Sequence, residues 1–311
     1  MSAEGGTKAI LAAAMANTSI AAMKFLGWAL TGASSMLAEA IHSVADTGNQ
    51  VLLLVGGKRA KRPANDDHPF GHGRERYLSG FLVAIVLFSV GGLFALYEAY
   101  HKFEESQHSN GHGLGQWWWV PVAILVFAII AESFSLRQAI IESNRVRGKR
   151  SWAQFVKTSK APELPVILLE DIAALLGLVF ALLGVGLTLL TGNPIWDVVG
   201  TALIGVLLVV VALLLGIETH SLLLGESATK EMRADIRAAI EESPGVERLI
   251  HCRTLHVGPE RLLVVAKIAV SPDASAREVA TLIDDTELRI RTAAPLVTDL
   301  YLEPDIYREP K

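Results

Sequence analysis

One cysteine, Cys252, stands in a chain of 311 residues, which excludes an intrachain disulfide and any multi-cysteine metal cluster. Charge is scarce as well. Asp, Glu, Lys and Arg supply 19% of the residues and leave a net charge of −4, too little to argue for or against any partner. No basic stripe marks a nucleic-acid surface, no glycine-rich loop is set to cradle a phosphate, and no nucleophile elbow presents a serine. The opening Met1–Lys8 has one lysine and lacks the cleavage site of a secretory leader, so the first apolar segment is expected to stay in the membrane.

What fills the chain instead is hydrocarbon. Hydrophobic residues make up 51% of it and the mean hydropathy is positive, which suits a bundle of membrane helices with a polar appendage. Six stretches are long enough to cross about 30 Å of bilayer core: Ala9–Leu30, Met36–Gly56, Leu78–Tyr100, Trp117–Ala139, Leu164–Leu190 and Ile195–Ile217. Basic residues crowd the second and fourth connections, at Lys58, Arg59, Lys61, Arg62, Arg74 and Arg76, and at Arg145, Arg147, Lys149, Arg150, Lys157 and Lys160. The remaining connections hold a single lysine. Positive-inside bias then puts both basic loops in the cytoplasm and, with an even number of spans, both termini too. Trp117, Trp118 and Trp119 fall at the outer interface, where aromatic belts form.

The second span carries polar chemistry from Ala38 to Gln50. His42 and Asp46, four apart, share one helix face and supply a nitrogen and an oxygen donor, half of a tetrahedral divalent-metal site. A carboxylate at mid-bilayer costs roughly 2.5–3.5 kcal/mol before a partner offsets it. The bland alternative is a hydrogen-bonded polar pair, and for the isolated pair the two readings weigh about evenly. Glu170 and Asp171 of the fifth span point about 100° apart, so at most one aims squarely at a single point. A cation shared with His42 and Asp46 would give them a partner. Glu132 in the fourth span has to pair or face a water-filled cavity. Asn17, Thr18 and Ser19 in the first span read as packing, and so does Asp197 in the sixth.

Two further segments are polar. The loop after the second span holds Asp66, Asp67, His68 and His72 among Pro69, Gly71 and Gly73. It either binds a cation loosely at the cytoplasmic mouth or merely turns the chain. His101, His108 and His112 of the outer connection read as hydrated. After Glu226 the pattern changes to a helix over Thr229–Glu242 and strands over Arg248–Val257 and Arg261–Val270. A helix over Ser275–Thr292 and a strand over Val297–Leu302, ending before Glu303 and Pro304, complete the tail. The expected architecture is a membrane all-α bundle of six transmembrane helices over residues 1–222, then a cytoplasmic α+β domain of αββαβ, ferredoxin-like order over 223–311.

In the His42-x-x-x-Asp46 pair, the loop His68-Pro69-Phe70-Gly71-His72-Gly73-Arg74 and Asp171, the chain resembles the cation diffusion facilitators. This is a family of zinc, iron, cobalt and manganese efflux proteins. The resemblance implies a homodimer, a metal held between the second and fifth helices, and exchange of metal for protons by alternating access. It makes Asp171 the firm fifth-helix ligand. Three departures stand out. Ile167 occupies the position where the family carries a further His or Asp, which leaves Glu170 or water to complete the site. The Leu168-Leu169-Glu170-Asp171 segment is similar to a divergent branch of the family's zinc transporters. The tail retains His251, Cys252 and His256 but ends Tyr301-Leu302-Glu303-Pro304, without the histidine of the family's regulatory metal site. A tail that dimerises without paired metal ions is therefore expected.

The expected function is efflux of a divalent cation, Zn²⁺ first, with Fe²⁺, Co²⁺ or Mn²⁺ following as donors become all-oxygen. The carrier would sit in the lipid bilayer of the cell membrane, with protons as counter-substrate and no organic cofactor or nucleic acid. A membrane-embedded metal-dependent enzyme and a non-transporting metal sensor are the alternatives. The enzyme needs a base beside an open ligand position, and Glu170 is its one candidate. The sensor needs far fewer spans.

Overall fold

The computed structural model of the protein describes residues 3–108 and 117–308; His112 lies outside them. Its apolar segments form α1 (Ala3–Thr31), α2 (Ser34–Arg59), α3 (Glu75–Val86) and α4 (Phe94–His108). A π-helical stretch over Leu87–Leu93 joins α3 to α4. Then come α5 (Trp119–Arg147), the short α6 (Trp152–Thr158), α7 (Glu163–Thr191) and α8 (Ile195–Leu224). Four helices among the described residues are long and apolar enough to cross a membrane: Glu75–Ser106, Trp119–Arg147, Glu163–Thr191 and Ile195–Leu224. The other two expected spans fall on α1 and α2, of 29 and 26 residues. α2 interrupts its apolar run with Glu39, His42, Asp46, Asn49 and Gln50.

The bundle is apolar outside as well as inside. Met36, Leu87, Leu125, Leu178, Ile204 and Leu208 fill its core, while Phe134, Leu183, Val206 and Ile217 stay exposed on outer faces. Hydrocarbon is the solvent such faces suit. Asp197 is more than packing. From the start of α8 it accepts the Ser34 N–H at 2.6 Å, the Ser34 hydroxyl at 2.9 Å, the Ser35 N–H at 3.4 Å and the Ser35 hydroxyl. The unpaired N–H groups and positive dipole end of α2 thus meet a carboxylate supplied by another helix.

The chain packs as two units, Met1–Gly56 with Ser79–Thr219, and Gly57–Leu78 with His220–Lys311. In the second, α9 (Lys230–Glu241), β1 (Arg248–Gly258), β2 (Arg261–Ala269), α10 (Ala276–Ala293) and β3 (Val297–Asp305) follow the αββαβ order. Thr229 caps α9, and Ser275 with Glu278 forms a capping box on α10. β2 lies between β1, antiparallel to it, and β3, parallel to it. Leu262, Val264, Ala266 and Ile268 of β2 are buried with Ile236, Ile240 and Ile290 of the helices. β3 does not stop before Glu303 but continues through Pro304, opposite Ile268, to Asp305. A proline is tolerated on an edge strand, where one side of the backbone needs no ladder partner. Lys267 reinforces that end, at 3.0 Å from Glu303 and 2.9 Å from Asp305.

Candidate metal centre

Ser35, Glu39, His42, Asp46 and Asn49 recur at alternating steps of four and three residues and are all buried. That spacing lines one face of α2 with a continuous polar stripe. His42 Nδ1 lies 3.4 Å from Asp46 Oδ1, a contact too long for a hydrogen bond. Asn49 donates its side-chain amide to Glu170 Oε1 at 2.8 Å. The Asp46 carboxyl is within hydrogen-bonding reach of Glu170. Two carboxyl groups that close on each other require a shared proton or a cation between them.

Several buried donors here have no hydrogen-bond partner: both ring nitrogens of His42, Asp46 Oδ1 and the Asn49 carbonyl oxygen. A buried polar atom left unpaired costs about 1–3 kcal/mol, so this concentration in one place is costly unless something else occupies it. A divalent cation suits the set. It accepts one nitrogen and several oxygens and neutralises the carboxylates. Among the described residues, no three His, Cys, Asp or Glu side chains already converge on one point.

The two α7 carboxylates face different neighbours. Glu170 is buried against α2, whereas Asp171, about 100° further around the helix, accepts a hydrogen bond from the Ser135 hydroxyl of α5 at 3.0 Å. Of the adjacent pair, contact with the α2 donors belongs to Glu170. Glu132, one turn before Ser135, interacts electrostatically with Asp171 and Asp46. Asn49 was missed from the sequence, although its step of three from Asp46 is the signal that finds it. Lys24 was missed too: it is a fully buried ammonium on α1, and an unmatched lysine inside an expected span is its mark.

The loop residues belong to the second unit. Asp66, Asp67 and His68 are exposed, and the His68 and His72 rings sit 4.4 Å apart. Gly73 packs on the β1–β2 turn, where a Cβ would come 2.7 Å from the Val257 carbonyl oxygen. Arg76 reaches Glu260 of the same turn at 3.4 Å. In the tail, His251 is exposed and His256 buried, on opposite faces of β1. Burial pushes the half-buried Cys252 thiol up, which keeps it protonated and a poor ligand.

The family model for the cation efflux transmembrane domain matches residues 10–224. The chain belongs to the cation efflux family. Members of this family are transporters, not enzymes, and this one is an integral membrane protein. The human protein named proton-coupled zinc antiporter SLC30A9, mitochondrial, is 34% identical over 250 residues, covering 80% of this chain and 43% of that one. Metal tolerance protein C4 of Arabidopsis thaliana is 24% identical over 263 residues, 84% of this chain and 56% of that one. Manganese efflux system protein MneP of Bacillus subtilis is 24% identical over 264 residues, 83% and 82%. The chain therefore spans less than half the length of the zinc antiporter it matches. Within the cation efflux family's matched region lie α2, α7 and every donor of the buried cluster.

Proposed function

We propose that the protein exports a divalent metal ion, zinc foremost, in exchange for protons. The observation that carries this reading is the set of buried, unpartnered donors on α2, His42, Asp46 and Asn49, closed by Glu170 of α7. Metal displaces protons from such donors, because imidazole must be neutral and carboxylates ionised to bind it. The same groups therefore carry both substrates in alternation. Two relatives are named for proton-coupled zinc antiport and for manganese efflux, which supports a divalent cargo. One nitrogen among the donors favours zinc.

In this reading the chain crosses the membrane six times, α1 and α2 joining the four apolar helices, with the basic loops, both termini and a ferredoxin-like tail in the cytoplasm. We place His42, Asp46 and Glu170 in contact with the ion. Asp171, with Glu132, is a carboxylate on the α5 side of its route. Asp66, Asp67, His68 and His72 gather ions at the cytoplasmic mouth. The working form is a homodimer in the cell membrane, joined through a tail that holds no paired metal ions.

Sealed vesicles carrying the full chain test this. A panel of Zn²⁺, Mn²⁺, Fe²⁺ and Co²⁺ should show metal uptake with matching proton movement in the opposite sense. His42→Ala and Asp46→Ala should each abolish both while leaving the protein monodisperse. Normal transport by Asp46→Ala would remove the core of the proposal.

A further inference from the structure

The polar stripe on α2 does not end at His42. One turn nearer the helix start, Glu39 is fully buried, and its two carboxylate oxygens differ. Oε2 accepts the Lys24 ammonium at 2.9 Å. Lys24 Nζ also donates to the Ser43 hydroxyl at 2.7 Å and reaches the Glu39 carbonyl oxygen at 3.5 Å. Glu39 Oε1 is buried with no hydrogen-bond partner. It points at Gly177 of α7, where a Cβ would come within 2.6 Å of it. The missing side chain keeps that oxygen's space open on the same α2–α7 seam that holds Asp46 and Glu170. Lys24 also acts electrostatically on His42, Asp46 and Glu132.

A carboxylate with a free oxygen, one turn from His42 and two turns from Asp46 on the same helix face, is a ligand in waiting. Affinity of such sites rises with the number of charged ligands. A carrier has to release what it binds, and an extra carboxylate works against release. An ammonium is a compact, strongly attracting point charge that can hold that carboxylate without leaving its own helix.

We propose that Lys24 is a tethered cation that competes with the transported metal for Glu39 and so keeps the site's affinity low enough for release. This rests on the reading of His42 and Asp46 as metal donors. Lys24 is a positioning residue: it would act on the metal through Glu39, whose carboxylate it holds.

The test titrates purified full-length protein in detergent with Zn²⁺ by calorimetry, and with Co²⁺ by its absorption spectrum, and measures transport in sealed vesicles. Lys24→Met frees Glu39 and should tighten Kd by about tenfold or more, with KM and maximal rate falling together. The Co²⁺ spectrum should shift as a further oxygen enters. Lys24→Met with Glu39→Gln removes the released ligand and should return Kd to within about threefold of the native value. Lys24→Arg keeps the charge and should leave Kd near native. Glu39→Gln alone leaves the ammonium without its counter-charge beside the site and should weaken Kd by about tenfold. It carries the test if Lys24→Met does not fold, and an unchanged Kd in it overturns the proposal. Unchanged or weaker binding in a folded Lys24→Met overturns it as well. His42→Ala separates the two levels: if it binds metal normally the donor assignment fails, whereas if it loses metal and Lys24→Met gains none, only the role of Lys24 fails.

Discussion

Replacing Glu170 by glutamine removes one charge and almost nothing else. The glutamine carbonyl can still accept the Asn49 amide, which now stands at 2.8 Å from Glu170 Oε1. Its amide can donate to Asp46, so both contacts of the carboxylate keep a partner and the helices keep their packing. What disappears is the affinity of an anionic oxygen for a divalent ion. Loss of a group that merely supports a metal ligand typically costs 10–100-fold in affinity, and a direct carboxylate ligand should cost at least that, about 1.4–2.8 kcal/mol. Glu170→Gln should therefore raise the Zn²⁺ Kd at least about tenfold, with an unchanged unfolding midpoint. Asp171→Asn is the contrast. Asparagine can still accept the Ser135 hydroxyl, and its Zn²⁺ Kd should move by less than about threefold. Calorimetry on the full-length protein in detergent measures both. Near-native binding by Glu170→Gln together with lost binding by Asp171→Asn would refute the assignment and make Asp171 the α7 ligand, as the family resemblance has it.

Other outcomes follow from particular contacts. Asp197→Ala strips four hydrogen bonds from the start of α2 and leaves buried N–H groups unpaired; thermal unfolding should show a loss of about 2–4 kcal/mol, with Asp197→Asn milder. His68→Ala with His72→Ala should raise KM for metal in vesicles and leave the maximal rate intact, whereas loss at every concentration would place the loop in the transport step. With His42→Ala and Asp46→Ala combined, full-length protein should show no residual tight Zn²⁺ binding, since His251 and His256 occupy opposite faces of β1; stoichiometric tight binding would place a metal site in the tail.

The resemblance rested on local residues, the His42–Asp46 spacing and the His68–Arg74 loop, and the matched family model covers both. Helix positions and the order of tail elements were legible for a similar reason. Periodicity of 3.6 or 2 residues, punctuated by proline and glycine, is written into short stretches and needs no partner to be read. Three things were not local. Glu170 and Asp171 are neighbours in sequence, and only the rotation of α7 against α2 and α5 decided which one meets Asp46 and which one meets Ser135. Lys24 and Glu39 lie on different helices, so their pairing exists only once α1 packs on α2. The His68–His72 loop reads as an appendage of the membrane helices, yet Gly73 and Arg76 pack with the β1–β2 turn nearly two hundred residues away in sequence. A residue's type and spacing set which chemistry it can do. Which neighbour it meets depends on how whole helices turn and pack, and that orientation is settled by the summed fit of side chains far apart in the chain.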